Sequence, residues 1–136
     1  MSARQFDDVF EGDELPTQEY LLSKDQVRTY AHAVHMAAGR FTDDEQAKLE
    51  GLPGMITPGN MSMGLTARLL EDWAGAGTVR RLGTTFRGLL LPGRTIRLRG
   101  AITEKNDPAR TVEVDCWIET DDGDRVVIGT ATLQLA

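Results

Sequence analysis

The chain has 136 residues, which is the size of one domain. Its composition, 40% hydrophobic and 26% charged residues, is that of an ordinary globular protein. Its 15 basic and 21 acidic side chains give a net charge of −6, which argues against binding to duplex nucleic acid. A single cysteine, Cys116, excludes an intrachain disulfide. No window has the apolar length of a signal peptide or a membrane span. We therefore expect one domain over residues 1–136, cytoplasmic, with no nucleic-acid or membrane association.

The first half of the chain carries helical patterns. A short strand is predicted over Glu19–Leu22, and Ser23 begins a capping box that opens a helix from Lys24 to about Val34. A second capping box over residues 42–45, with Thr42 as the N-cap, opens a short helix that ends near Gly51. After a loop rich in glycine and proline, a long apolar helix runs from Asn60 to the glycines at 75–77.

Everything after residue 78 has the period-2 alternation of strands. Buried faces are predicted for three runs, at Ile96, Leu98, Gly100 and Ile102; at Val112, Val114, Cys116 and Ile118; and at Val127, Gly129, Ala131, Leu133 and Leu135. Helices followed by an antiparallel meander with one covered face indicate an α+β domain. The long apolar helix is the natural cover for that face.

Several stretches in this order resemble the MaoC-like (R)-specific enoyl-thioester hydratases and dehydratases. They lie at residues 6–16, 22–31, 42–47, 51–56, 61–65, 86–87 and 91–93. The resemblance implies a hot-dog fold, in which an antiparallel sheet wraps around a central helix, and members usually form dimers that join two sheets. It also implies an acyl-thioester substrate, carried on coenzyme A or acyl carrier protein, to which water is added across a 2-enoyl bond or from which it is removed.

The chain departs from the family in the loop after the first helix, where the resemblance implies a catalytic Asp and His. The Asp position falls on Met36 and the His position on Phe41, while the intervening Asn-Pro falls on Ala38 and Gly39. A further family His is replaced by Pro58. Since a thioether and a phenyl ring cannot transfer protons, we expect the family reaction not to occur by its usual mechanism.

The binding half of the family site has clearer counterparts. Gly59 and Asn60 begin the long helix, where free N–H groups and the positive end of the helix dipole could hold a thioester carbonyl. The ordinary structural explanation makes Asn60 an N-cap and Gly59 a requirement of chain geometry. The methionines and phenylalanine nearby fit either core packing or an apolar pocket. The predicted substrate-binding residues are Met36, Phe41, Met55, Pro58, Gly59 and Asn60.

Candidate catalytic residues are His35 and Asn60, although a histidine near a helix C-terminus is common without any catalytic role. His32 and His35 lack a third ligand, so no metal site is predicted, and no cofactor is expected. A basic set could hold an anion or could simply be the solvated faces of strands; it comprises Arg80, Arg81, Arg87, Arg94, Arg97 and Arg99.

Two functions fit these residues. The first is a non-catalytic subunit that binds an acyl thioester or a related small molecule and pairs with a catalytic hot-dog homologue, since family heterodimers exist in which one chain lacks the pair. The second is a repurposed isomerase, cyclase or atypical lyase; the sequence leaves homodimer and heterodimer open. A hydratase with a different catalytic pair is disfavoured, because no Asp or Glu lies between residues 26 and 42.

Overall fold

The computed structural model describes residues 3–136. Within that range lie 3₁₀-helices at Phe6–Asp8 and Gly39–Phe41, and the following main elements: β1 (Gln18–Leu22), α1 (Lys24–Ala33), α2 (Asp44–Leu49), α3 (Gly59–Ala74), β2 (Val79–Phe86), β3 (Arg94–Asn106), β4 (Thr111–Thr120) and β5 (Arg125–Gln134). The α+β class and the division between helical and strand halves are confirmed.

The five strands form one antiparallel sheet in the order β1-β3-β4-β5-β2. The predicted meander is correct for β3, β4 and β5. It is wrong for β2, which pairs with β5 at the far edge instead of lying beside β3. Alternation in the sequence reports which side chains face the core, but it carries no information about the order of the strands.

The predicted buried face of the sheet is the one against which α3 packs. Ile96, Val114 and Leu133 are buried on the strands, and Leu70 is buried on the helix. Gly75 has a φ of 114° and follows the last helical residue, which ends α3 where the glycines predict. This is the hot-dog arrangement that the resemblance implies.

The sequence predicts the N-cap of α1 correctly but not the N-cap of α2. The capping box at Ser23 is present as predicted. At α2 the N-cap is Asp43 and not Thr42, because the Asp43 carboxylate accepts from the N–H groups of Glu45 (2.8 Å) and Gln46 (3.4 Å). The Thr42 hydroxyl instead donates to a carbonyl of the preceding turn, so the second predicted capping box is wrong.

Candidate functional site

The loop that leads into α3 is anchored to both preceding helices. The Asp44 carboxylate accepts from the Met55 N–H at 2.9 Å and pairs with the Lys24 ammonium at 2.7 Å. The hydrogen bond from Lys24, followed by the one from Met55, lowers the pKa of Asp44. The Ile56 N–H donates to the Arg40 carbonyl at 2.8 Å. These bonds fix the position at which α3 begins.

The start of α3 presents two free donors. Pro58 is the N-cap, and its carbonyl accepts from the N–H groups of Met61 (3.0 Å) and Ser62 (3.3 Å). The N–H groups of Gly59 and Asn60 have no hydrogen-bond acceptor within residues 3–136. Asn60 is the second helical residue and exposed, so the N-cap explanation for its side chain is wrong. A 16-residue helix thus directs two N–H groups and its positive dipole end outward.

Phe86, the last residue of β2, lies against this helix start. A Cβ added to Gly59 would stand 2.6 Å from the Phe86 Cζ, so the ring fills the space that a side chain would need. The Cα–Cβ bonds of a helix tilt toward its N-terminus, which puts the ring on the N-terminal side of α3. Sequence reasoning missed Phe86 as a site residue, because nothing local to either residue joins them.

Met36 is the predicted site residue that meets the helix start from α1. Its sulfur lies 3.4 Å from the Asn60 side-chain nitrogen, and its own N–H donates to the Ala31 carbonyl at 2.7 Å. His35, one residue earlier, is exposed with a φ of 59°, and its side chain has no hydrogen bond or ion pair within the described range. The structure therefore brings Met36 to Asn60 but gives His35 no link to either.

The other two apolar candidates lie in different environments. Met55 is 1% exposed and belongs to the main core, so its side chain packs rather than lines an open pocket. Phe41 is half-buried in the second 3₁₀-helix, with the Arg40 guanidinium 6.0 Å from its ring centre. Arg40 also pairs with Glu50 at 2.8 Å.

Thr57 adds a polar feature that the sequence did not reveal. It is 8% exposed, and its hydroxyl has no hydrogen-bond partner among residues 3–136. Its N–H donates to the Leu90 carbonyl at 2.9 Å. A buried hydroxyl without a partner costs about 1–3 kcal/mol. This unsatisfied group lies two residues before Gly59.

The arginines suggested as an anion-binding set are mostly engaged in ion pairs. Arg97 and Arg99 on β3 contact Glu119 at 3.2 and 3.1 Å, and the Trp117 indole N–H donates to the same carboxylate at 3.1 Å. Burial alone would raise the pKa of Glu119, but the three hydrogen bonds outweigh it and lower the pKa. Arg94 pairs with two aspartates of the next hairpin. The exposed Arg94 fits the interpretation as a solvated strand face, whereas Arg97 and Arg99 are partly buried around the Glu119 carboxylate.

Two cavities on the described surface lie on other parts of the fold. One of about 500 Å³ lies on the outer sheet face beside Trp117 and Arg125. Another of about 500 Å³ flanks Leu69 and Trp73 near the end of α3. No group of three potential metal ligands occurs among residues 3–136, and no helix there is long and apolar enough to cross a membrane.

Comparison with known proteins identifies relatives of this architecture. The sequence matches the MaoC-like domain family over residues 9–122, whereas no curated protein matches it. A MaoC-like dehydratase structure is 30% identical to this chain, with a TM-score of 0.92. The match includes 98% of this chain but only 43% of that longer protein. The ChsH1-ChsH2 complex from Mycobacterium tuberculosis has a TM-score of 0.85 at 20% identity, covering 93% of this chain and 98% of that one. The (R)-hydratase from A. caviae involved in PHA biosynthesis has a TM-score of 0.87 at 15% identity, with coverages of 94% and 98%.

Proposed function

The chain belongs to the MaoC-like domain family, and from that premise we propose that it binds an acyl thioester as the non-catalytic partner subunit of a hot-dog hydratase or dehydratase. The carrier of the acyl group is coenzyme A or acyl carrier protein. The catalytic Asp and His then come from a hot-dog homologue in the same assembly.

The contact between Met36 and Asn60 is the observation that carries this proposal. Hydration and dehydration need groups that gain and lose protons next to the acyl chain. The resemblance puts the family Asp position at Met36, whose thioether lies 3.4 Å from the Asn60 side-chain nitrogen at the helix start. The resemblance puts the family His position at Phe41, whose phenyl ring cannot transfer a proton either. A binding role needs neither proton-transfer group.

The start of α3 supports acyl-thioester binding. A thioester carbonyl oxygen is an acceptor, and the N–H groups of Gly59 and Asn60 are donors with no acceptor within residues 3–136. The positive end of the helix dipole strengthens such hydrogen bonds. The unsatisfied hydroxyl of Thr57 adds a further polar group close in the chain.

The position of β2 at the sheet edge supports a partner beside this site. A strand paired with β2 would lie about 4.8 Å away, and it would cover Phe86, which is 53% exposed in the isolated chain. The MaoC-like dehydratase is more than twice as long as the part this chain matches. The complex from Mycobacterium tuberculosis is named for two components. A heterodimer is favoured over a homodimer, because a homodimer with Met36 and Phe41 at the predicted catalytic positions would have no Asp/His pair.

The test follows the absorbance of the conjugated enoyl thioester of crotonyl-CoA in the presence of the purified chain. A family member that carries the Asp/His pair serves as the positive control, and calorimetry measures binding of crotonyl-CoA to this chain. We expect binding without loss of absorbance, and binding weakened in Asn60→Pro, which removes one free N–H. Hydration by the chain alone would contradict the proposal.

A repurposed enzyme is the second candidate, and the exposed Asn60 amide at the helix start favours it. In that case the site catalyses an isomerisation, a cyclisation or an atypical elimination, with Asn60 or His35 as the acting group. Turnover of a thioester substrate by the chain alone, lost in Asn60→Ala or His35→Ala, would favour this function over the first.

A further inference from the structure

We propose that Phe86 determines which acyl groups reach the start of α3, and that its ring excludes groups that are cyclic or branched next to the thioester carbonyl. This inference rests on the proposed acyl-thioester binding and adds the class of acyl group that the site takes.

The contact between Phe86 and Gly59 carries the inference. A glycine at position 59 lets the ring approach so closely that even a methyl group there would collide with it, at 2.6 Å from the ring Cζ. The ring therefore stands beside Gly59, the residue that carries the first free N–H of the helix. An acyl group whose carbonyl accepts from that N–H has its α-carbon near the ring.

Met36 lies beside the side chain of Asn60, the residue that carries the second free N–H. It contacts Asn60, the residue after Gly59, and consecutive helical residues project about 100° apart around the axis. The first two residues of α3 therefore have an aromatic ring beside Gly59 and a thioether beside the Asn60 side chain. An unbranched, planar enoyl chain fits between two such walls more easily than a phenyl or branched group does.

The exposure of Phe86 shows that its ring is not part of the core. It is 53% exposed, and its pairing with Val127 on β5 uses the backbone, which a substitution leaves intact. Truncation of Phe86 should therefore open the site without unfolding the domain. Leu89, which is 44% exposed in the following loop and has no comparable contact with Gly59, provides a matched control.

The experiment measures the Kd of crotonyl-CoA and benzoyl-CoA by calorimetry for the full chain and for Phe86→Ala, Phe86→Leu and Leu89→Ala. Free coenzyme A gives the contribution of the carrier alone. We expect the unmodified chain to prefer crotonyl-CoA, and Phe86→Ala to bind benzoyl-CoA about tenfold more tightly, because the removed ring has the size of the added phenyl group. Phe86→Leu should lie between, and Leu89→Ala should match the unmodified chain.

An unchanged ratio of the two dissociation constants in folded Phe86→Ala and Phe86→Leu would overturn the role of Phe86, while binding of crotonyl-CoA would leave the proposed function standing. If neither thioester binds the unmodified chain more tightly than free coenzyme A does, the proposed function itself is wrong.

Discussion

The Phe86 ring lies so close to Gly59 that a Cβ at position 59 would stand 2.6 Å from the ring Cζ. Gly59 is helical and its φ is not positive, so close approach, and not backbone conformation, requires the glycine here. The contact joins the last residue of an edge strand to the first residue of the central helix. It therefore couples the shape of the candidate site to the strand that a partner would cover.

Gly59→Ala is expected to be less favourable by a few tenths to about 1 kcal/mol than a helical glycine-to-alanine change usually is, because the new methyl group must displace the half-exposed Phe86 ring. In a Phe86→Ala background the same change should be neutral, or stabilising by up to about 1 kcal/mol, since alanine favours a helix over glycine. Urea unfolding of the two single variants and the double variant measures the coupling. Equal effects in both backgrounds would show that the two residues do not interact.

Glu119→Gln is expected to lower the free energy of unfolding at pH 7 by about 1–3 kcal/mol, because Arg97 and Arg99 lose their charged partner. The pKa of Glu119 in the folded state is lowered from the ordinary value of 4.5. Its charge therefore stabilises the fold above that value, and this stability is lost as the pH falls through the folded pKa.

The pH dependence of the free energy of unfolding distinguishes Glu119 from the other carboxylates. We expect the difference between the unmodified chain and Glu119→Gln to shrink below pH 4.5, measured by urea unfolding across the acid range. Glu104→Gln is the control, since Glu104 is exposed and has no ion pair among residues 3–136. A difference that stayed constant down to the lowest pH would argue against an ionised Glu119.

Asp43→Ala is expected to cost about 1 kcal/mol, because the carboxylate caps α2 through two backbone N–H groups. Thr42→Ala should cost less, since its hydroxyl makes one bond to a carbonyl and caps no N–H group. Thermal or urea unfolding of the two variants gives the order directly. A larger effect at Thr42 would restore the capping box that the sequence suggested.

The Cys116 thiol is expected to resist modification in the folded protein. Burial, aided by the charge of Asp115, raises its pKa to about 11, and its side chain is 1% exposed. Only about one thiol in a thousand is then ionised at pH 8, and the thiolate is the reactive form. A chromogenic disulfide reagent should react slowly at pH 8 and rapidly once urea unfolds the chain. Equal rates under both conditions would mean that the β4 core opens readily.

Signals carried by neighbouring residues were enough to predict much of the fold. Ser23 lies three residues before Gln26, and the two alone define a cap because both halves of the bond are local. The alternation at Val112, Val114 and Ile118 identifies a buried face because each strand side chain points to the face opposite its neighbour's. The family resemblance identified the hot-dog fold and the segment that contains Met36, while the absence of a catalytic pair stays a prediction.

The tertiary structure alone decided what these local signals leave open. Three features join residues that are distant in the chain: β2 pairs with β5, Asp44 accepts a hydrogen bond from the Met55 N–H, and Phe86 contacts Gly59. Periodicity records how one element divides its side chains between core and solvent, but not which elements pack together. Which elements pack together depends on the combined shape and hydrogen bonding of the whole domain. The sequence therefore predicted where the candidate site begins, and only the fold showed which residues surround it.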